Sequence, residues 1–508
     1  MDSSEQNLET VVESAAPSPP MARSLVAPLL KGSAIYALAN VAVKALSFLL
    51  LPLYTRFLTP ADYGIISLAE ILAMVAVSIL GLGLEPSLAR FFFQHAGDAE
   101  AQRTYVSTVI RFGLFVLLAG SALLLLLGAS GGQFLREGLA VSFFPYVALA
   151  LASAAATQAF QYPLTLFQAQ MRPRAYAVLS IASFFLTMTA VISLVVIFPH
   201  GAAGMLWGKF GAAAFAALIA LALSRSWLKA RFVWRYVRET LPVSLPLVPH
   251  QLMALGLVVA DRFILQHYRP LSEVGIYSLA YTCGMAMFLV SSSILQAFSP
   301  IYFEAARAGA AARRPLARLA EGVVSMWGAI AVAGIFVSPF FARILDARYE
   351  QVGRLIPLVI AAYLLHALFT LFQLQTLEGG KTRFVLYASS IALLVNLSLN
   401  LLWIPRWGMY GAAYATVVGY AVEALVMFAG AQRTSLLPYQ QMRLLGTLTI
   451  SAAVVLFSQS RWSVAEGRGA WRPLAALAIS AALFLVLSSS QLRSVWQSVR
   501  GASAGGGR

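Results

Sequence analysis

The sequence is poor in charged residues and almost devoid of cysteine. Only 11% of its 508 residues are charged and 60% are hydrophobic, whereas soluble domains average about a quarter charged residues. The single cysteine, Cys283, excludes a disulfide framework and a multi-thiolate metal site. A chain this apolar cannot hide its hydrophobic surface in a water-soluble core. We therefore expect an all-α polytopic membrane protein.

Signatures of soluble catalytic domains are also missing. The sequence has no complete Gly-x-x-x-x-Gly-Lys-Ser/Thr phosphate loop and no His-Glu-x-x-His pair, and the connections between its apolar runs are short. These absences argue against an enzyme and against direct use of ATP. We expect no cofactor, no bound metal ion and no nucleic-acid partner.

Fourteen apolar runs are each long enough to cross a bilayer, which takes about 20 residues. They are 33–54, 65–84, 106–128, 141–165, 175–198, 202–223, 245–265, 276–299, 322–341, 354–375, 384–404, 408–430, 442–458 and 473–490. Segments on the N-terminal side of the membrane carry about twice as many Lys and Arg residues as the loops opposite. We therefore expect both termini in the cytoplasm.

The chain contains an internal duplication. The matching segments are Gly64–Ala69 with Gly275–Ala280, Thr165–Gln170 with Thr370–Gln375, and Gly201–Gly204 with Gly408–Gly411. Spans one to six thus recur as spans seven to twelve, and an even number of spans gives both copies the same orientation. We expect two parallel six-helix lobes around a central cleft, an arrangement typical of transporters, plus two extra C-terminal helices.

These patterns divide the chain into six parts. They are a disordered cytoplasmic tail (1–31), an N-terminal lobe (32–223), a basic cytoplasmic linker (224–244), a C-terminal lobe (245–430), spans thirteen and fourteen (431–490) and a cytoplasmic tail (491–508). The linker contains five basic residues between Arg225 and Arg238, which favour a position along the membrane surface.

Polar side chains within the spans are the candidate substrate contacts, because an ionised group costs about 2.5–3.5 kcal/mol at the centre of a membrane helix. Asn40 and Lys44 share one stripe of span one, and the repeat places His250 at the position of Lys44. The further candidates are Arg56, Arg90, Lys209, Arg262, Asn396 and Asn400. Snorkelling to the membrane surface or hydrogen bonding between helices is the alternative use of these side chains.

Two carboxylates inside spans, Glu70 and Glu423, are candidates for ion coupling. Each could bind a proton or a cation, or it could be the partner of a buried base. The residue types leave both uses open.

Several motifs resemble the polysaccharide (O-antigen and exopolysaccharide) flippase family. They are Leu51-Pro-Leu-Tyr-Thr-Arg-Phe-Leu-Thr-Pro-Ala-Asp-Tyr-Gly64, Gly81-Leu-Gly-Leu84 and the Pro-x-x-Gly-x-x-Gly-Ala-Ala pattern from Pro405 to Ala413. This family belongs to a superfamily that also contains multidrug exporters and lipid II flippases.

The resemblance implies a flippase that moves polyprenyl-diphosphate-linked oligosaccharides across the bacterial inner membrane by alternating access. Its partners would be the lipid-linked substrate, membrane lipids and proteins of polysaccharide polymerisation or assembly. Two other functions stay open. The chain could be a cation-coupled exporter of multiple drugs or other small molecules, or a non-transporting scaffold of a glycan-assembly complex.

Overall fold

The computed structural model describes residues 43, 46–95, 97–130, 141–307, 309, 313–381, 383–440, 446, 449 and 451–456. All regular elements in these ranges are helical, as the sequence predicts. The predictions for 1–31 and 491–508 fall on residues outside the described ranges, and so do most of span one and most of spans thirteen and fourteen.

Seven α-helices lie in the predicted N-terminal lobe within the described ranges. They are α1 (Leu51–Phe57), α2 (Pro60–Leu80), α3 (Leu84–Gln94), α4 (Ala99–Ser130), α5 (Ala148–Ala169), α6 (Pro173–Ile192) and α7 (Gly201–Leu223). Two short helices, α8 (Arg225–Leu228) and α9 (Trp234–Ser244), form the linker. The C-terminal lobe contains α10 (Leu247–Tyr268), α11 (Leu271–Arg307), α12 (Arg313–Ile344), α13 (Val352–Glu378) and α14 (Arg383–Thr434).

Nine helices among the described residues are long and apolar enough to cross a membrane, or ten if the bent pair Leu247–Met253 and Leu255–Tyr268 is one span. The predicted spans two to ten each coincide with one helical segment. Spans eleven and twelve, in contrast, form the single long helix α14, which is broken at Gly408. A positive φ of 55° at this glycine redirects the chain there.

Local sequence fixes where α2 begins. Thr59 accepts a hydrogen bond from the Asp62 amide, and the Asp62 carboxylate accepts one from the Thr59 amide. Pro60, the first residue of the helix, has no amide hydrogen that would need a partner. This capping box lies at the N-terminal end of α2. We call the side of the molecule where α2 begins the Leu58 end, and we call the opposite side the Gly83 end.

The duplication is visible in how each lobe starts its sixth span. Asp62 accepts a hydrogen bond from the Ala202 amide at 3.3 Å, and Glu273 accepts one from the Met409 amide at 3.2 Å. Both acceptors sit near the start of the second span of their copy. Gly201 and Gly408 precede the two capped amides, and both have positive φ angles, so a carboxylate caps the same helix in each copy.

The two lobes meet most extensively where α2 packs against α11. A methyl group on Gly64 would collide with the backbone carbonyl of Leu271, and one on Gly275 would collide with that of Pro60. These two glycines are equivalent in the repeat. Because neither has a side chain, the helix backbones can approach closely at the Leu58 end.

The linker packs against the Gly83 end of the N-terminal lobe. The Ser107 hydroxyl of α4 lies 3.0 Å from the carbonyl oxygens of Leu228 and Ala230. Tyr236 and Leu241 of α9 pack on a buried apolar cluster formed by α3, α4 and α5. The connection between the lobes is therefore held on the N-terminal lobe at this end.

Candidate functional site

A cavity of about 850 Å³ lies in the N-terminal lobe between α2, α5, α6 and α7. It extends from Glu70 and Lys209, in the middle of their helices, to Glu85 at the Gly83 end. Val43 and Gln251 line it as well. Ligand sites generally measure about 300–1,000 Å³, so the cavity is large enough for a short oligosaccharide.

An ion pair crosses the cavity wall. The Lys209 ammonium of α7 lies 2.5 Å from the Glu70 carboxylate of α2, and their side chains are 28% and 42% exposed. The pair joins the two helices in the interior of the lobe, where an unpaired charge would be costly. Lys209 thus reaches a carboxylate within its own lobe.

Hydroxyl and amide groups make up most of the remaining polar wall. The hydroxyl residues are Ser78, Ser153, Thr157, Tyr176, Ser180, Ser183 and Thr187, and the amides are Gln158, Gln161 and Gln251. Three of the hydroxyls, those of Ser78, Thr157 and Thr187, donate to backbone carbonyls of their own helices. Their oxygens keep lone pairs that can accept hydrogen bonds from a ligand.

Glu85 adds a second carboxylate at the Gly83 end of the cavity. It lies in the first turn of α3, where the helix dipole favours a negative charge. The Thr165 hydroxyl donates to it at 3.3 Å. The described lining residues therefore include two carboxylates, Glu70 and Glu85, and one cationic side chain, Lys209.

The Leu58 end beyond the cavity is sealed by contacts between the lobes. The hydroxyl oxygens of Ser67 and Ser278 lie 2.7 Å apart. The Tyr349 hydroxyl donates to the Leu58 carbonyl at 2.9 Å, and the Arg348 guanidinium donates to the Arg56 carbonyl at 3.1 Å. A loop of the C-terminal lobe therefore covers the turn between α1 and α2.

Arg262, one of the predicted substrate contacts, lies away from the cavity lining. It is 7% exposed and its guanidinium lies 3.1 Å from the Asp261 carboxylate, which also accepts a hydrogen bond from Tyr277. The guanidinium also lies over the Tyr281 ring, 4.5 Å from the ring centroid. The structure thus places Arg262 in a buried network of the C-terminal lobe.

Two further predicted arginines are exposed at opposite ends. Arg56 lies at the Leu58 end, where its carbonyl oxygen receives the hydrogen bond from Arg348. Arg90 is on α3, five residues after Glu85, and its guanidinium lies 5.7 Å from the centroid of the Phe91 ring. Neither lines the cavity, although the start of α3 does.

The remaining described candidates are buried in the C-terminal lobe. The Asn400 amide donates to Asn396 at 2.9 Å. Glu423 is 2% exposed, accepts a hydrogen bond from Ser389 and lies 3.1 Å from the His366 ring. Asn40 and Lys44 lie outside the described residues, and so does the His250 side chain. The roles predicted for all these residues remain predictions.

Sequence reasoning missed the hydroxyl and amide wall, although a signal for it was present. Ser153, Thr157 and Gln161 recur every four residues on α5, and Ser183 and Thr187 are four residues apart on α6. Such spacing places polar groups on one face of each helix. The sequence-based predictions concentrate on charged residues, because the cost of inserting a charged side chain into the membrane is higher.

The described residues contain no group of three His, Cys, Asp or Glu side chains placed to hold a metal ion. The polar groups of the cavity are instead suited to hydrogen bonding with a polar organic ligand.

A family model described as "Polysaccharide biosynthesis protein" matches residues 29–306, more than half of the chain. No curated protein matches the chain.

Solved structures of membrane transporters share the fold. The lipid II flippase MurJ in an inward closed conformation has a TM-score of 0.67 at 13% identity, with 91% of this chain and 99% of that chain covered. An inward-facing multidrug resistance MATE family transporter of the MOP superfamily has a TM-score of 0.58 at 13% identity, with coverages of 81% and 99%. The Vibrio cholerae MATE transporter VcmN in its bent form has a TM-score of 0.53 at 15% identity, with coverages of 85% and 99%. At these identities the likeness shows the fold alone.

Proposed function

The chain belongs to the polysaccharide biosynthesis protein family, and from this premise we propose that it is a flippase for polyprenyl-diphosphate-linked oligosaccharides. It would carry the glycan head group across the bacterial inner membrane, from the cytoplasmic to the outer leaflet, for surface polysaccharide synthesis. The family match and the shared fold support the coarser statement that it is a multi-pass membrane transporter of flippase type.

The observation that carries the proposal is a polar cavity that stops at a sealed lobe interface. The cavity runs from the Glu70–Lys209 pair to the Gly83 end, while α2 and α11 are in close contact at the Leu58 end. In alternating access, one end is closed while the other admits cargo, and the lobes then rock to reverse the two ends. This arrangement suits the state that receives cargo at the Gly83 end.

Charge distribution favours the Gly83 end as the cytoplasmic side. The linker packs at this end, and Arg225, Lys229, Arg231 and Arg238 are exposed on it. Lys and Arg accumulate in the cytoplasmic connections of membrane proteins. Cargo would then enter from the cytoplasmic leaflet.

The hydrogen-bonding groups of the cavity can offset the free-energy cost of moving sugars out of water. Sugar hydroxyls lose their hydrogen bonds to water on entering hydrocarbon, at a cost of several kcal/mol for each group left without a partner. Amides such as Gln158 and Gln161, and the hydroxyls beside them, can replace those hydrogen bonds within the lobe. The polyprenyl tail has no such need and would stay in the surrounding lipid.

Among the predicted substrate contacts, we propose Lys209 as a glycan contact and Arg90 as a diphosphate contact. Lys209 faces the cavity, and Arg90 is exposed on the helix that begins at the cavity rim. The predicted roles of Asn40, Lys44, His250, Arg56, Arg262, Asn396 and Asn400 in binding remain part of the proposal to be tested by substitution. Glu70 and Glu423 remain the proposed sites of ion coupling.

A cation-coupled small-molecule exporter is the second candidate. The two carboxylates on the described cavity wall favour it, because organic cations bind beside carboxylates. The scaffold alternative receives no support from the cavity, since a protein that transports nothing does not need such a volume.

The deciding experiment compares two kinds of cargo in vesicles that contain the purified full-length protein. A lipid-diphosphate oligosaccharide labelled on its glycan would appear in the opposite leaflet faster than in protein-free vesicles. A fluorescent organic cation, driven by an imposed proton or sodium gradient, would not accumulate. The reverse pattern would favour the exporter, and transport of neither cargo would contradict both proposals.

A further inference from the structure

Several polar groups of the cavity wall present only hydrogen-bond acceptors to a ligand. When they are ionised, the carboxylates of Glu70 and Glu85 can accept hydrogen bonds but cannot donate them. The hydroxyls of Ser78, Thr157 and Thr187 already donate to helix carbonyls, so they too present lone pairs to a ligand. A ligand that binds to these groups must itself supply the donors.

The one cationic side chain among the described lining residues is already engaged. Lys209 is 2.5 Å from Glu70, and this carboxylate offsets its charge toward a ligand. The described hydrogen-bond partner of Glu85 is the neutral hydroxyl of Thr165, and this contact does not offset the charge of the carboxylate. The described cavity wall is therefore neutral at its inner end and negative toward the Gly83 end.

Free positive charge lies outside the cavity, at the same end. Arg90, Arg225, Lys229, Arg231 and Arg238 are all exposed there, and none of them lines the cavity. We call these five residues the basic rim. An anionic diphosphate would be held at the rim by charge-assisted hydrogen bonds, while the sugars that follow it enter the cavity.

From this division of charge, we infer that the protein selects its cargo by the charge of the glycan. It would accept neutral or amino-bearing oligosaccharides and discriminate against glycans that carry carboxylate groups, such as uronic acids. This inference rests on the proposed flippase function and specifies its substrate class. Hydroxyl and ammonium groups donate to these acceptors, whereas an additional carboxylate would meet Glu85 without a free cation in the described wall to offset the repulsion.

The expected size of the discrimination between neutral and acidic cargo follows from the Coulomb repulsion between like charges. Two like charges repel each other about four times as strongly at an effective dielectric constant of about 20 as they do in water. In a partly hydrated cavity, the repulsion is closer to its strength in water. We therefore expect about tenfold discrimination, equivalent to about 1.4 kcal/mol.

The test uses two cargoes that differ in one functional group. One is a polyprenyl diphosphate that carries a neutral trisaccharide, and the other carries the same trisaccharide with one hexose oxidised to its uronic acid. Both are followed to the opposite leaflet of vesicles containing the full-length protein. Wild type should move the neutral cargo about tenfold faster.

Two isosteric variants test whether Glu85 and Glu70 cause the discrimination against the acidic cargo. Glu85→Gln should raise transport of the acidic cargo and narrow the ratio to within about threefold, because it removes the repelling charge. Glu70→Gln should also raise transport of the acidic cargo, because Lys209 then becomes available to a cargo carboxylate. Glu350→Gln is the matched control, since Glu350 is exposed in the C-terminal lobe, away from the cavity lining, and should leave the ratio unchanged.

Each outcome is decisive. Equal transport of both cargoes by wild type would overturn the inference and leave the flippase proposal intact. A ratio that stays near tenfold in both Glu85→Gln and Glu70→Gln would also overturn it. If neither cargo moves faster than in protein-free vesicles, the flippase function itself fails, and the inference falls with it.

Discussion

Ser67 and Ser278 occupy equivalent positions in the two copies of the repeat, and their hydroxyl oxygens lie 2.7 Å apart across the lobe interface. A direct contact between equivalent residues means that the pseudo-two-fold axis passes between them. The Arg262 guanidinium also donates to Ser278, at 3.3 Å. The sealed end of the molecule is therefore connected to a buried charge network of the C-terminal lobe.

The close approach of α2 and α11 predicts a strong effect of one methyl group. Gly275→Ala would push the Pro60 carbonyl away and prevent tight closure at the Leu58 end. We expect transport to fall about tenfold or more, as measured by glycan flipping in vesicles. Gly322→Ala is the matched control, because a methyl group there meets no atom within 4 Å. Equal activity of the two variants would show that this contact does not matter for transport.

The ion pair in the cavity predicts non-additive effects on transport. Lys209→Met and Glu70→Gln should each lower flipping of the neutral cargo several-fold, since each leaves the other side chain without its partner. The double variant should be no worse than the more impaired single variant, because residues in direct contact are energetically coupled. Additive losses would mean that the two side chains act separately.

The buried pair of Asp261 and Arg262 predicts a large effect on stability. Removing one partner of a buried ion pair typically costs about 3–5 kcal/mol, so Asp261→Ala should markedly lower the unfolding temperature in detergent. Asp346→Ala, at the much more accessible pair with Arg348, should change it little. A similar unfolding temperature for both variants would contradict the importance of burial.

The loop that contains Asp346 at the sealed end predicts that the unfolding temperature depends on pH in the acid range. Hydrogen bonds from Arg348 hold the pKa of the Asp346 carboxyl below its usual value of 3.8. A carboxyl with a lowered pKa stabilises the folded state above its unfolded pKa, and this contribution is lost as the pH falls through the folded pKa. Wild type should therefore unfold at a slightly higher temperature than Asp346→Asn at neutral pH. This small difference should begin to shrink as the pH falls below about 4 and should vanish once the pH is below the folded pKa. A difference that grows in acid would contradict this assignment.

Much of the fold could be predicted from the sequence because the repeat and the apolar runs are long-range regularities. The match of Gly64 with Gly275 in the sequence corresponds to two glycines that permit contact between equivalent helices. The sequence predicts a break between span eleven (384–404) and span twelve (408–430), and the structure joins the two into one helix that is broken at Gly408.

The environments of individual side chains could not be predicted in the same way. Arg56 and Arg262 are equivalent in the repeat, yet Arg56 is exposed and Arg262 is buried. The residue before each accounts for the difference, because Asp261 supplies a carboxylate where the first copy has Thr55. Similarly, Lys209 and Glu70 are far apart in sequence, and only the packing of α7 on α2 brings them together.

The most direct test of alternating access is a reversible lock at the sealed end. Ser67→Cys and Ser278→Cys combined with Cys283→Ala place two thiols where the native hydroxyls are 2.7 Å apart, within reach of a disulfide. Flipping of a lipid-diphosphate oligosaccharide is measured in vesicles before oxidation, after it and after reduction, with each single cysteine variant as control. Alternating access predicts at least a tenfold loss on oxidation, recovery on reduction and no change in the single variants. Full cross-linking with undiminished flipping would contradict it.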